Sequence, residues 1–417
     1  MEFNQVTVIG GGMGGLAAAA ALAPFCKKIT IFDKDKIVDG VRKAVPQGAH
    51  IHILLRAGLN ALDELLPGMP QELESRGSAR INLGTDQQIH EFGQWMPSRD
   101  LDLYFLSQSR PFLEKAVRER LLQLNNIELI DNTTVEQVLF PEKGQSGNST
   151  VKLKSGETIA SDIVVDAGGA GGPIIRQINK TLETPVETDT FETGIFYSTV
   201  HFDKVSPWDQ LQENILIIPD PGHSSIGGSL LSIENGQWCV SLHGRKGSKP
   251  PSNYDEWQIL AKNLPDSRIW ERIQHAKPRD DIKNFKKPLS TWRRFDKIDY
   301  LPYGYLPTGD TFTSFNPIYG QGMTVALGHA ISLRHCMSEN ERNFDTFRKN
   351  YIEKASKWSK EAWQRATSYD SYYTNAKDKQ SQLNTIRKLV MAQHSKAEKD
   401  PVFHKKIASQ SQMLLIK

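Results

Sequence analysis

VTVIGGGMGGLAAAAALA, residues 6–23, is the stretch whose reading decides the fold. A β-branched apolar run ends in a glycine turn, the turn opens an alanine-rich helix, and KKITIFDKD at 27–35 follows as a second strand. Gly10, Gly12 and Gly15 stand at the spacing G-x-G-x-x-G. The turn needs a residue without a Cβ, the second glycine lets backbone approach a pyrophosphate, and the third lets helix pack close to sheet. The helix dipole and free amides then favour phosphate charge by about 0.5–2 kcal/mol beyond the hydrogen bonds. Asp33 ends the second strand, where a carboxylate accepts from a ribose hydroxyl. The pattern is half of a doubly wound mononucleotide fold and leaves NAD and FAD equally open.

A second glycine-rich segment separates them: LPTGDTFTSFNPIYGQGMTVALGHA, residues 306–330. Gly309-Asp310 follows an apolar strand, as a carboxylate binding a polyol hydroxyl would. Pro317 breaks the loop, and Gly320-Gln321-Gly322-Met323 opens a helix. Its free amides suit the pyrimidine edge of an isoalloxazine, where negative charge collects on reduction. A plain Gly/Pro turn before a surface helix explains the glycines but not the Gly-Asp pair. The two segments together point to FAD.

Length and composition set the bounds. The 417 residues suggest about two or three structural units. Lys and Arg number 51 against 48 Asp and Glu, a net charge of +3 that gives no electrostatic case for nucleic acid. The longest apolar candidate for a membrane span, Gly15 to Ala23, is too short and lies inside the nucleotide motif. The first strand begins within six residues, which excludes a signal peptide. Cys26, Cys239 and Cys336 are odd in number and widely spaced, and read as reduced thiols of a cytoplasmic protein.

The expected fold class is α/β, or α+β with an inserted sheet: a Rossmann-like FAD-binding domain, a β-rich substrate domain and C-terminal helices. The FAD-binding domain is expected to be discontinuous, over 1–80, 108–185 and 290–345. The β-rich domain takes 81–107 and 186–289, and the helical region 346–417. RPFLEKAVRERLLQL at 110–124 has helical periodicity. NIELIDNTTVEQVLF and STVKLKSGETIASDIVVDAGG read as strands feeding back into the parallel sheet. GIFYSTVHF, ENILIIPD and SIGGSLLSIENGQWCVSLHG form the inserted sheet, with ENGQ as a hairpin turn. The Lys-rich tail from Lys377 to Lys406 reads as a solvated helical surface.

With these motifs in order, the chain resembles the flavoprotein monooxygenases of the p-hydroxybenzoate hydroxylase fold. It is most similar to the branch carrying FNPIYGQGM (315–323), which includes aromatic hydroxylases and the olefin epoxidases of polyether biosynthesis. The resemblance also covers VPQGAHIH at 45–52, SRPFLEKAVRERL at 109–121, SDIVVDAGGAGG at 161–172 and NGQWCVSLHGRKG at 235–247. It implies that Gly10, Gly12, Gly14, Gly15, Asp33 and Lys34 hold the ADP half of FAD, and that Arg110 reaches the phosphate or ribityl region. Asp310 would bind the ribityl chain, with Gly320, Gly322 and Met323 at the flavin ring. Asp162 and Asp166 match a middle motif that in relatives also serves the nicotinamide cofactor. This chain departs from it at Gly168 and Gly172, which leaves Asp166 a sheet-packing role within the cofactor site. Arg42 is either a flavin contact or a loop charge.

His50 and His52 alternate on an extended segment, so both point to one side. They read as a contact with cofactor or substrate, as does Pro317, or as satisfied buried histidines. A metal pair lacks third and fourth ligands nearby. The family's chemistry implies an FAD-dependent monooxygenase in which NAD(P)H, directly or through a separate flavin reductase, reduces the flavin. O2 then adds to give a flavin C4a-hydroperoxide, whose distal oxygen hydroxylates or epoxidises a hydrophobic, biosynthetic small molecule. Phe191, Phe196, Tyr197 and Trp238 are the candidates for the substrate lining, or for plain core. The rivals are a flavin-dependent halogenase, an FAD-dependent dehydrogenase or reductase, and a non-catalytic flavin-binding partner protein. None of the eight tryptophans stands in the halogenase pattern Trp-x-Trp-x-Ile-Pro.

Overall fold

The computed structural model describes all residues except 1, 39, 43–45, 221–222, 246, 340, 342, 375–379 and 417. The first residue of VPQGAHIH, the lysine of GRKG and residues 377–379 of the lysine-rich tail therefore lie outside the described residues. The chain opens with β1 (Phe3–Ile9), α1 (Met13–Leu22) and β2 (Cys26–Phe32). Next come α2 (Arg56–Leu65), α3 (Met69–Arg76), β3 (Ala79–Asn82), β4 (Gln87–Glu91), β5 (Gln94–Trp95), β6 (Tyr104–Ser107) and α4 (Arg110–Leu121). β7 (Ile127–Ile130), β8 (Val135–Leu139), β9 (Ser149–Leu153), β10 (Thr158–Ser161), β11 (Ile163–Asp166) and α5 (Pro173–Thr181) follow. The inserted region supplies β12 (Thr188–Asp203), β13 (Asn214–Ile217), β14 (Ile226–Ile233), β15 (Gln237–Gly244), α6 (Tyr254–Lys262), α7 (Arg268–Ile273) and β16 (Lys283–Arg293). The chain closes with β17 (Tyr305–Pro307), β18 (Thr313–Ser314), α8 (Gln321–Ser338), α9 (Phe344–Thr374), α10 (Gln380–Lys399) and α11 (Pro401–Ser411).

The parallel sheet runs β17-β11-β1-β2-β7. β1 leaves toward β2 on one side and pairs with β11 on the other, Val6 opposite both Ile29 and Ile163. That reversal is the switch point of a doubly wound sheet, where ligands collect at the carboxyl ends of the strands. The turns leaving β1, β2, β11 and β17 all gather there: Gly10 donates to Phe32, Ala167 to Ile9, and Thr308 to Asp166. α1 covers this end, and its run of alanines is buried on every side, because small side chains let it lie flat on the sheet.

One expectation needs correcting. Of the strands read as returning to the parallel sheet, only β7 and β11 do so. β10, β9 and β8 form a separate antiparallel sheet of their own. The burial pattern gives the reason: β11 is buried at every position, as a two-sided parallel strand must be, whereas β9 alternates and covers one face only.

The inserted sheet runs β18-β16-β12-β15-β14-β13-β4-β5, and β14 and β15 are joined by the expected turn at Glu234–Gly236. Its outer face packs Val200, Phe202, Trp238 and Val240 under Trp257 and Ile269 of α6 and α7. Trp238 is thus core rather than substrate lining. Tyr197, on the opposite face, donates to Asn316 of the segment leading into α8. α9 packs along α8, with the indole of Trp358 against Gly328. The described part of the lysine-rich tail is mostly exposed helix, as expected. Among the described residues no helix is long and apolar enough to cross a membrane. The three cysteines are free and buried.

A Cβ built on Gly15 would lie 1.8 Å from the Gly10 carbonyl oxygen, backbone that cannot move without parting α1 from β1. Gly15→Ala should therefore destabilise the protein by about 1–3 kcal/mol or more even without any ligand, read as a lower melting temperature of the flavin-free chain. An unchanged melting temperature would contradict this packing.

Candidate functional site

A cleft of about 740 Å³ opens along the carboxyl ends of the parallel strands. At one end stand Gly10, Gly12, Gly14, Asp33, Lys34 and Arg42, and at the other Asp310, Pro317, Gly320, Gly322 and Met323, with Arg110 and His52 also on its wall. The sequence-predicted residues missing from the wall are Gly15, Asp166 and His50. Gly15 acts beneath it, in the packing of α1.

The wall is backbone where a phosphate or a flat ring would need closeness. A Cβ on Gly12 would meet only the Arg42 guanidinium at 3.4 Å, and one on Gly322 would meet nothing within 4 Å. Gly10 has φ +106°, and a Cβ there would strike the Ala167 carbonyl at 2.5 Å. α1 and α8 both start at this wall, N-capped by Gly12 and Gly320, so their unpaired amides serve one cleft. A Cβ on Gly14 would be 3.5 Å from the Gly309 Cα, which brings the opening turn and the Asp310 loop into direct contact. Arg42 Nε and both amide atoms of Gln321 are buried without a protein partner. A glycine-walled cleft fed by two helix starts, with an exposed Asp310 between them, fits a dinucleotide flavin along its length.

A chain of charges lies buried along this wall. The Asp33 carboxylate accepts from the Gly11 amide at 2.8 Å and from Arg42 at 2.6 Å. Arg42 also donates to Glu114 at 2.9 Å, and Glu114 accepts from Arg110 at 2.9 Å. Arg110 in turn reaches His52 Nε2 at 3.2 Å, while His52 Nδ1 donates to the His50 carbonyl at 2.9 Å. Burial would raise the Glu114 carboxyl, but Arg110 and Arg42 together hold it below its usual value. Burial, then the Arg110 charge, pushes His52 down to about 3. His52 is therefore a neutral imidazole with both nitrogens engaged. Arg42, open in the sequence between flavin contact and loop charge, is buried and doubly paired at the cleft wall.

Asp166 is fully buried and works at one remove. It accepts from the Gly168 amide at 3.0 Å, Tyr305 Oη at 3.1 Å and Thr311 Oγ1 at 3.3 Å, joining the end of β11 to the Asp310 loop. Burial raises its pKa. His50 and His52 are not a pair on one wall. One turn of 3₁₀ helix at Pro46–Ala49 precedes them, and His50 turns to Thr199 Oγ1 at 2.7 Å and packs on Tyr197 and Phe285. Burial, then His201 and Lys283, lowers its pKa to about 4. Among the described residues no group of three or more His, Cys, Asp or Glu side chains is placed to hold a metal ion.

Of the expected substrate lining, Phe191, Phe196 and Tyr197 join Trp238 in being absent from the cleft wall. Phe285, Lys287, Ser314 and Phe315 stand there instead. Sequence reading missed these four, although KNFKKPLSTWR carries a period-two signal that puts Phe285 and Lys287 on one face. It also missed Arg293, which donates to the Thr311 and Ala170 carbonyls and ties the glycine loop to the Asp310 loop.

Known proteins resemble the chain in sequence and in fold. The family described as FAD dependent oxidoreductase matches residues 5–174. Protein Rv3254 of Mycobacterium tuberculosis is 31% identical over 359 residues, which is 80% of this chain and 73% of that protein. Klebsiella pneumoniae HpxO, solved with FAD and uric acid, superposes with a TM-score of 0.66 at 15% identity, over 92% of this chain and 93% of its own. 2-Methyl-3-hydroxypyridine-5-carboxylic acid oxygenase does so with a TM-score of 0.63 at 15% identity, over 90% and 92%.

Neutralising Glu114 leaves two buried guanidinium groups short of a counter-charge. Glu114→Gln should cost about 3 kcal/mol, read as a fall in melting temperature at neutral pH. Because the folded pKa is depressed, this contribution is complete above the unfolded value of about 4.3 and is lost as pH falls through the folded one. The gap between wild type and variant should therefore close on acidification below about pH 4. A gap that persists there would contradict the pairing.

Proposed function

The chain belongs to the FAD dependent oxidoreductases, and from that premise we propose a monooxygenase that places one atom of O2 on a hydrophobic, biosynthetic small molecule, by hydroxylation or epoxidation. The observation that carries this reading is the single cleft in which a dinucleotide turn, a Gly-Asp loop and a second helix start share one wall. That HpxO was solved with FAD and uric acid, and that the pyridine-carboxylic acid protein is an oxygenase, supports it on a common fold.

FAD held here would supply redox and oxygen-transfer chemistry, with NAD(P)H as electron donor directly or through a separate reductase. The residues supply the rest. Gly10, Gly12 and Gly14 would hold the pyrophosphate at the start of α1, and Asp33 and Lys34 the ribose. Arg42 pairs with Asp33 at the cleft wall and fixes the orientation of its carboxylate. Asp310 would hold the ribityl hydroxyls, and the amides of Gly322 and Met323 would support negative charge at the pyrimidine edge. Arg110, fixed between Glu114 and His52, presents its remaining donors to the cleft. His52 has no free nitrogen for proton transfer, so its part is to position Arg110. Phe285, Phe315, Ile53 and Pro317 exclude water beside the ring site.

The test is FAD-loaded protein given NADH or NADPH under air. The reading expects electron-donor oxidation with oxygen uptake. Product that depends on halide would replace it with a halogenase, and no redox response at all would leave a binding protein. Asp310→Ala and Gly12→Val should both lose most of the flavin while their flavin-free melting temperatures stay close to wild type. Neither site packs tightly against protein, and Gly12→Val blocks only the ligand's approach. Wild-type flavin occupancy in Asp310→Ala would count against the assignment.

A further inference from the structure

The last turns of α9 carry a buried carboxylate that the cleft itself does not use. Asp370 stands beyond the cleft wall, and its side chain gathers donors from two distant segments. Arg245, one residue past β15, pairs with it, both side chains almost fully out of solvent. Asn316 Nδ2 donates to the two carboxylate oxygens at 3.1 Å each, and Tyr319 Oη donates at 2.7 Å. The Arg245 guanidinium also lies 4.2 Å from the centre of the Tyr373 ring, and Tyr373 Oη donates to the Pro219 carbonyl at 2.7 Å. Burial would lower the Arg245 pKa, but Tyr319, Tyr373 and Asp370 together raise it.

Asn316 and Tyr319 bound the 3₁₀ turn Pro317–Tyr319, which delivers Gly320 at φ +64° and starts α8. Pro317, Gly320, Gly322 and Met323 of that stretch line the cleft. Asn316 Oδ1 caps the turn, accepting from the Ile318 amide at 3.1 Å, and takes a second bond from Tyr197 Oη at 2.8 Å. Its Nδ2 is engaged by Asp370, so both polar atoms of this side chain are held. The turn's own backbone adds the bond from the Gly320 amide to the Pro317 carbonyl at 2.9 Å. The direction in which α8 starts therefore depends on a carboxylate 54 residues beyond Asn316. We propose that Asp370 is a positioning residue for the flavin: from α9 it fixes the Pro317–Tyr319 turn and thereby aims the first amides of α8 at the ring site. This role rests on FAD occupying the cleft and is independent of oxygen transfer. It adds α9 to the elements that shape the cofactor site.

The experiment combines equilibrium titration with FAD and visible circular dichroism of the bound flavin, which senses the asymmetry around the ring. Wild type is compared with three variants. Asp370→Asn breaks the hub. Arg245→Met combined with Asp370→Leu removes both charges together, and replacing a buried ion pair by apolar side chains keeps the fold. Glu213→Gln breaks a different buried pair, Glu213–Arg272 at 2.8 Å, on the α7 side of the inserted sheet. Both Asp370 variants should bind FAD about tenfold more weakly and shift the visible dichroism bands. Glu213→Gln should lower the melting temperature yet leave both flavin readouts at wild type. Wild-type readouts in the double variant would overturn the role, because any effect of Asp370→Asn would then be the unmatched charge of Arg245. Equal flavin changes in Glu213→Gln would also overturn it, as general loosening. A wild-type chain that takes up no FAD would sink the cofactor reading and this role with it, whereas the first two results leave that reading standing.

Discussion

The cleft depends on the start of α1 meeting the Asp310 loop backbone to backbone, with α8 beginning just beyond that loop. α1 begins at the end of β1, and α8 begins about three hundred residues later, yet Gly14 and the Gly309 Cα stand so close that a Cβ on either would touch the other. A Cβ there would already fill the contact at ordinary van der Waals distance, so a side chain longer than alanine's would press the opening turn away from the Asp310 loop. With them in contact, unpaired amides of both helices face a common space, and a ligand of dinucleotide length can use both. The parallel sheet exists to hold this geometry: its four relevant strand ends deliver Gly10, Asp33, Ala167 and Thr308 to one rim.

Electrostatics keeps that rim in order. Asp33, Arg42, Glu114 and Arg110 alternate in sign along the buried wall, and each carboxylate has at least one guanidinium within hydrogen-bonding distance. Removing one member would leave the others buried and unmatched, so the chain is a positioning device more than a source of stability. Its far end fixes the His52 tautomer, while burial, then the Arg110 charge, keeps that imidazole neutral. Asp166 does the same for the other rim, through Gly168, Tyr305 and Thr311.

What the sequence made legible was what repeats with a short period or sits within one motif. β1, α1 and β2 follow from local pattern, and the glycine spacing carries its own steric reason in Gly10 and Gly15. The Gly309-Asp310 pair and the helix start at Gly320 were legible for the same cause. The three-stranded sheet was not, because alternation in Val135–Leu139 and Ser149–Leu153 says that one face is buried but not against which partner. The His50–His52 pair misled because an extended reading put both on one side, whereas a 3₁₀ turn enters the segment and each imidazole finds its own partner. Arg42 and Lys287 depend on residues far away in sequence, Glu114 for one and Ser314 for the other. No single-sequence pattern carries contacts of that range. The four aromatic guesses failed on a two-sided sheet: Trp238 belongs to the face under α6 and α7.

The most direct measurement is an equilibrium titration of flavin-free chain with FAD, followed in parallel with FMN, reading flavin fluorescence. A ligand gripped at both ends should bind once per chain, with FMN far weaker because it lacks the adenosine half that Asp33 and the opening turn hold. Absence of FAD binding, or FMN binding as tightly as FAD, would contradict a cofactor stretched between the two helix starts.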